Sequence, residues 1–185
     1  MRKLMLICLV IFAFNVKAQE VLSHSEVVQV EGATASAIYK NVKKWFAKTY
    51  RSAQNVIQYD DVDAEVSGKG IIPYDEKSLT WAAASGLIYY DVIVKVKDGR
   101  FKITIENFNH RSTHPTYADK WSIGALLKTP PTDDELANIG VKGLAKKQYK
   151  AIDKRIRPIC LNEIAIILTS IKESMSKQQN EDDNW

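Results

Sequence analysis

The sequence contains no hydrophobic run long enough to cross a bilayer, which takes about 20 apolar residues. The longest run, residues 4–14, follows the basic pair Arg2 and Lys3 and ends shortly before the small residue Ala18. This order is typical of a cleaved secretory signal. We therefore predict a signal peptide over residues 1–18, cleaved after Ala18. The protein is then exported to the periplasm, the cell surface or the medium.

Cysteine is almost absent from the sequence. Cys8 lies inside the predicted signal, so Cys160 is the single cysteine of the remaining chain. No internal disulfide can then form, although an exported protein passes through an oxidising compartment. Residues 19–178 are long enough to bury one hydrophobic core, and no linker or repeat divides them. We predict a single domain there, followed by a disordered polar tail at 179–185.

The sequence also lacks a strong excess of one charge. The formal net charge of +4 includes Arg2, Lys3 and Lys17 of the predicted signal. Without these three of the 26 Lys and Arg residues, 23 remain against 22 Asp and Glu residues. Because a nucleic-acid-binding domain is expected to carry a strong basic excess, this balance predicts no nucleic-acid partner.

Residues 87–108 carry the clearest structural pattern. Apolar and polar side chains alternate on both sides of Asp98-Gly99, and this dipeptide between alternating runs predicts a β-hairpin. The two-residue turn pairs apolar residues across the strands, namely Val96 with Phe101, Val94 with Ile103, and Val92 with Ile105. A slip of one residue would move all six to the wrong face, so the pattern fixes the register.

The remaining pattern predicts an α+β fold. In chain order it indicates a strand at 26–30, a helix at 35–50 capped by Thr34, strands at 56–60 and 64–72, a long loop at 109–131, a capping box at Thr132, and a final helix from residue 146 that Pro158 breaks or kinks. We expect a single antiparallel sheet in β-α-β4-α order, with two helices packed on one face.

Four short pieces, in this order, resemble a known family: Trp45-Phe46-Ala47-Lys48-Thr49-Tyr50, Val56-Ile57-Gln58-Tyr59-Asp60-Asp61, Gly68-Lys69-Gly70 and Lys97-Asp98-Gly99-Arg100-Phe101. It is the domain-of-unknown-function family with a TATA-box-binding-protein-like fold, found in exported proteins of Bacteroides-type bacteria. The resemblance covers roughly residues 27–110. It implies the fold just described and a bacterial envelope setting. It implies no activity, because the family has none assigned.

The sheet face away from the helices is predicted to be partly apolar. The hairpin register places Tyr89 opposite Phe108 on this face, next to Ile93, and Trp121 lies in the long loop that follows. Because exposed aromatic patches often mark binding surfaces, we predict Tyr89, Ile93, Phe108 and Trp121 as ligand-binding residues. Two other arrangements stay open: the 109–131 loop folds over the patch, or a second copy covers it.

These observations favour an exported, non-enzymatic envelope binding domain that uses the open sheet face and the 109–131 loop. The expected partner is an unknown small molecule or envelope protein, the expected state is a monomer or weak dimer, and no cofactor or metal is predicted. The alternative is an envelope hydrolase in which Asp91, Glu106 and His110 form the site. Glu106, His110 and His114 follow one another at a spacing of four, which on a helix would suit a zinc site. Because Glu106 belongs to a strand and Pro115 follows His114, we expect His110 and His114 to be exposed loop residues instead.

Overall fold

The computed structural model describes residues 20–50, 57–60 and 62–182, so the predicted signal peptide lies outside these residues. The elements follow in chain order as β1 (His24–Gln29), α1 (Ala35–Thr49), β2 (Ile57–Asp60), β3 (Glu65–Tyr74), a 3-10 helix (Leu79–Ala84), β4 (Gly86–Lys97), β5 (Arg100–Ser112), α2 (Ala118–Trp121), β6 (Gly124–Ala125), α3 (Asp133–Asn138) and α4 (Leu144–Asp182). The sheet order is β1-β5-β4-β3-β2, with β6 also paired to β5 and every pairing antiparallel. The predicted α+β fold is confirmed.

The hairpin of β4 and β5 has the predicted register near its turn. Val96 lies opposite Phe101, and the next two apolar pairs follow as expected. Their side chains point into the core and are almost fully buried. Tyr90 continues this inner row, and its ring lies over Gly70 of β3. A Cβ at Gly70 would be 2.0 Å from Tyr90 Cζ, so glycine is the residue that fits there.

The register shifts once, at a β-bulge in β5. The outward pairs on either side of the shift are Asp91 with Glu106 and Tyr89 with Asn109. The extra residue on β5 is accommodated at Asn107, which has a left-handed φ of 60°. The bulge turns Phe108 inward, where it is fully buried and stacks on Tyr90 at 5.4 Å between ring centroids. The predicted position of Phe108 on the open face is therefore wrong.

Both long helices cover the same side of the sheet. Thr34 caps α1 as predicted, since its hydroxyl accepts a hydrogen bond from the Ala37 N–H. The indole N–H of Trp45 donates to the Ser170 hydroxyl at 3.0 Å and joins α1 to α4. Cys160 lies inside this core, where burial raises the pKa of its thiol to about 12. The core therefore lies between the inner sheet face and the two helices.

The last helix is continuous and longer than the sequence predicted. α4 runs through Pro158, where a break or kink was expected, and the proline is exposed. Pro158 has no N–H to donate within the helix. α4 also continues to Asp182, into the segment predicted as a tail, while residues 183–185 lie outside the described part. None of the helices in the described residues combines the length and the apolar character needed to span a membrane.

The segment predicted as one long loop, 109–131, contains regular structure. β5 extends to Ser112, and β6 pairs with β5 at Asn109 and His110. The backbone of this segment also accepts hydrogen bonds from α4 side chains, including one from the Tyr149 hydroxyl to the Ala125 carbonyl at 3.1 Å. A second runs from Arg157 Nη1 to the Leu127 carbonyl at 2.8 Å. The segment therefore lies along the β5 edge and against α4, not over the open face.

Candidate functional site

The open face is the side of the sheet that faces away from α1 and α4. Its outward side chains on the three central strands include Glu65, Ser67, Lys69 and Ile71 of β3, Leu87, Tyr89, Asp91, Ile93 and Lys95 of β4, and Lys102, Thr104, Glu106 and Asn109 of β5. Tyr89 and Ile93 are only half-buried, whereas the inward residues beside them are buried. The open face is therefore the side of the described sheet that α1 and α4 leave uncovered.

Two of the four predicted binding residues lie together on the open face. Tyr89 and Ile93 point outward from β4, four residues apart, with Asp91 between them on the same face. Trp121 lies elsewhere, in α2 on the helix side of the sheet. Its ring is 6.0 Å from that of Trp81, and the Arg155 guanidinium lies 5.2 Å from the Trp81 ring centroid. The prediction that Trp121 shares a surface with Tyr89 is therefore wrong.

A shallow pocket of about 210 Å³ lies beside Ile93 on the open face. Its lining consists of Gln58, Ser67, Gly68, Lys69, Asp91, Ile93, Glu106 and Asn107. Asp91 is held from two sides: Lys69 Nζ lies 3.4 Å from Asp91 Oδ1, and Asn107 Nδ2 donates to Asp91 Oδ2 at 2.9 Å. The bulge that buries Phe108 thus also brings Asn107 into this pocket. We call it the Ile93 pocket.

The Ile93 pocket offers hydrogen-bond donors and acceptors around a small apolar surface. Ammonium and amide groups donate, and carboxylate, amide and hydroxyl oxygens accept. A few polar groups around an apolar surface are typical of sites that bind small molecules. Neither Asn107 nor the role of the bulge was predicted from the sequence. The signal was present, because the apolar spacing of two along β5 becomes three between Ile105 and Phe108.

The residues of the hydrolase alternative do not converge. Asp91 and Glu106 lie opposite one another on the open face, as predicted. His110 lies on the inner face and is fully buried, so the expectation of an exposed loop residue is wrong. Its Nε2–H donates to the Ala84 carbonyl at 2.9 Å, and its Nδ1 accepts from the Ile123 N–H at 3.4 Å. Both ring nitrogens are therefore occupied by hydrogen bonds to the backbone.

The environment of His110 favours the neutral ring. Burial lowers the pKa of His110 below its ordinary value of 6.5. The Tyr74 ring lies 5.8 Å away in an edge-to-face arrangement. His114 follows β5, and its Nδ1 accepts from the backbone N–H groups of Thr116 and Tyr117. The described residues bring together no group of three His, Cys, Asp or Glu side chains that could hold a metal ion.

A second polar cluster ties the loop after β3 to α4. The Glu76 carboxylate accepts a hydrogen bond from the Tyr74 hydroxyl and another from the Ser78 N–H at 2.9 Å. Arg155 Nε lies 3.1 Å from the same carboxylate. The Tyr74 hydrogen bond is the main reason that the pKa of Glu76 is lowered. Since each partner is already engaged, this cluster joins elements of the fold and offers no free reactive group.

The structure has one antiparallel sheet in β-α-β4-α order with both long helices on one side. This architecture is the TATA-box-binding-protein-like fold. The model of the family "Domain of unknown function (DUF4468) with TBP-like fold" matches residues 24–111. The resemblance predicted from the four sequence pieces is therefore confirmed over residues 24–111.

The solved structures that are similar to this chain include proteins from two bacteria. A TBP-like protein from Parabacteroides distasonis superposes with a TM-score of 0.50 at 11% identity, covering 82% of this chain and 93% of the other. A DUF4468 family protein from Bacteroides ovatus gives a TM-score of 0.47 at 17% identity, covering 82% of this chain and 86% of the other. At this identity the first similarity shows the fold alone. The search of curated proteins gave no match.

Proposed function

We propose that this protein is an exported, non-enzymatic binding domain of the bacterial envelope, and that its open face binds a polar small molecule in the Ile93 pocket. The supporting observation is that α1 and α4 cover one side of the sheet and leave the Ile93 pocket open on the other. Export rests on the signal-like residues 1–18, and the envelope setting rests on the family resemblance.

The pocket chemistry favours a ligand with several hydrogen-bonding groups. Lys69 and Asn107 donate, Asp91 and Glu106 accept, and Ile93 contributes an apolar contact. A purely apolar ligand would displace water from these polar groups without replacing its hydrogen bonds, which costs about 1–3 kcal/mol for each group that is left unsatisfied. His110 is buried on the other side of the sheet from Asp91 and Glu106. These three residues therefore do not form the site of the hydrolase alternative.

Native mass spectrometry with one matched pair of variants tests the proposal. Ile93→Lys places a long charged side chain across the pocket, and its register neighbours Ser67 and Thr104 are small and polar. Leu161→Lys makes a comparable change on α4, where Leu161 is 50% exposed. The proteins are purified gently from a Bacteroides-type host, and their unfolding temperatures are compared first.

We expect a reproducible added mass of small-molecule size on the wild type and on Leu161→Lys, and its loss in Ile93→Lys. A bare wild-type protein, or an added mass that survives in Ile93→Lys, contradicts the proposal. An added mass of protein size that only Ile93→Lys removes contradicts the ligand class, and it shows instead that the open face binds an envelope protein.

A further inference from the structure

Four cationic side chains are grouped where the open face meets the β4–β5 turn. We call them the basic patch, and its members are Lys95, Lys97, Arg100 and Lys102. All four are exposed, and together with Val27 and Phe101 they line a shallow pocket of about 330 Å³. This pocket shares no lining residue with the Ile93 pocket, so the inference below does not depend on the proposed function.

The register places these like charges directly opposite one another. Lys95 pairs with Lys102, and Lys97 pairs with Arg100. Residues directly opposite in an antiparallel pair have Cβ atoms about 4.5–5.5 Å apart, and like charges in that arrangement are destabilising. Two consecutive pairs of this kind concentrate four positive charges on a small area. The alternation along β4 and β5 requires polar residues at these four positions, but it does not require positive charge. The fold alone therefore does not explain the four cations.

The acidic groups that act on this charge do so at Lys95, which is near the carboxylates of Glu65, Asp63 and Asp60. Lys95 Nζ lies 2.8 Å from the Glu65 carboxylate. Within the described residues, Lys97, Arg100 and Lys102 form no ion pair with an acidic side chain. The carboxylate nearest in sequence, Asp98, instead accepts a hydrogen bond from the Ala35 N–H at 2.7 Å at the start of α1. Three cations of the basic patch are therefore available to an external anion.

The dimensions and the donor types indicate the class of anion. A volume of about 330 Å³ is larger than one phosphate needs and falls within the range of small-molecule sites. Arg100 can bind two oxygens of one phosphate through its planar guanidinium, and the lysines contribute point charges beside it. We infer that the basic patch binds a soluble ligand that carries two or more phosphoryl groups.

The test uses sodium tripolyphosphate as the probe and two variants that remove equal charge. The patch variant is Lys97→Gln/Arg100→Gln/Lys102→Gln. The control is Lys40→Gln/Lys44→Gln/Lys48→Gln, which changes three exposed lysines of α1. Isothermal titration calorimetry gives Kd at low and at physiological salt. Backbone amide chemical shifts of the wild type then map the residues that respond.

We expect the patch variant to raise Kd for tripolyphosphate about tenfold and the control to change it less than about threefold. The amide shifts are expected around residues 27 and 95–102. An equal rise in both triple variants, shifts confined to α1, or no binding by the wild type overturns the inference.

A second arm separates a soluble ligand from a membrane surface. Vesicles of phosphatidylglycerol present the same phosphate chemistry on a flat array. We expect tripolyphosphate to bind the protein at physiological salt. We also expect that the protein does not sediment with these vesicles. Sedimentation by the vesicles without binding of tripolyphosphate overturns the soluble class. Ile93→Lys adds a cation near the basic patch and should not weaken tripolyphosphate binding, whereas it should abolish binding in the Ile93 pocket. Failure of this inference and failure of the proposed function are therefore distinguishable.

Discussion

The surroundings of His110 are apolar and closed, and both of its ring nitrogens are hydrogen-bonded to backbone groups. A histidine in this position stabilises the fold while it is neutral. Protonation would place a charge beside the Tyr74 ring and would require the Nδ1 atom to give up its bond from the Ile123 N–H. His110 therefore links the stability of the protein to pH.

We predict that the free energy of unfolding falls as the pH is lowered from about 8 to about 5.5. The unfolded state binds a proton near pH 6.5, whereas the lowered pKa of His110 keeps the folded state neutral there. The slope is at most about 1.4 kcal/mol per pH unit for one proton. The carboxylates with lowered pKa, including Glu76, lose their contribution only below about pH 4.5.

Urea unfolding at a series of pH values measures this slope. His110→Gln removes the titrating group and should flatten the curve, at some cost in overall stability. His114→Gln makes the same substitution in the loop after β5 and should leave the slope in place. Equal slopes for the wild type and His110→Gln would show that another group is responsible.

At the scale of single elements, the bulge in β5 determines which residues face the solvent. One extra residue at Asn107 moves Phe108 and His110 to the inner face and leaves Asn107 beside Asp91. Without the bulge, the alternation from Ile105 onward would place Phe108 on the open face. The core and the Ile93 pocket therefore both depend on the left-handed conformation of one residue.

Two substitutions at Asn107 isolate the cost of that conformation. Asn107→Gly and Asn107→Val both remove the hydrogen bond to Asp91, but only glycine adopts a positive φ without strain. We predict that the valine variant is less stable than the glycine variant by about 1–2 kcal/mol, measured by urea unfolding. Equal stability of the two variants would mean that the bulge relaxes and that Asn107 does not determine it.

α4 contains a proline, Pro158, inside the helix. The proline has no N–H to donate and is exposed, so nothing in the core requires its ring. Pro158→Ala should raise the free energy of unfolding by about 1–3 kcal/mol in a thermal or urea melt. The control Pro115→Ala lies in a loop and should lower it by up to about 1 kcal/mol, because the unfolded chain gains freedom. Destabilisation by both substitutions would contradict this account of α4.

At the scale of the whole molecule, local patterns predicted the architecture well. The Asp98-Gly99 turn fixed the pairing of Val96 with Phe101, and Thr34 marked the start of α1, since both signals depend only on neighbouring residues. The capping box at Thr132 is present as predicted. These features, combined in chain order, were enough for the sheet and for the side that its helices cover.

The candidate site was predicted only in part. Tyr89 and Ile93 are on the open face because simple alternation holds along β4. Phe108 was misplaced because alternation cannot anticipate an inserted residue, and Trp121 because the path of residues 113–131 depends on contacts with α4. The two pockets require the register of neighbouring strands, which no single stretch of sequence contains.

The most direct test of the central claim is hydroxyl-radical footprinting of the protein, first as gently purified from its host and then after unfolding and refolding in clean buffer. If the open face binds a ligand, Tyr89 and Ile93 should be modified more slowly in the host-purified protein than in the refolded protein. Tyr117, which is 55% exposed between β5 and α2, should react equally in both. Equal modification of Tyr89 and Ile93 in the two samples would contradict the claim that this face is the binding site.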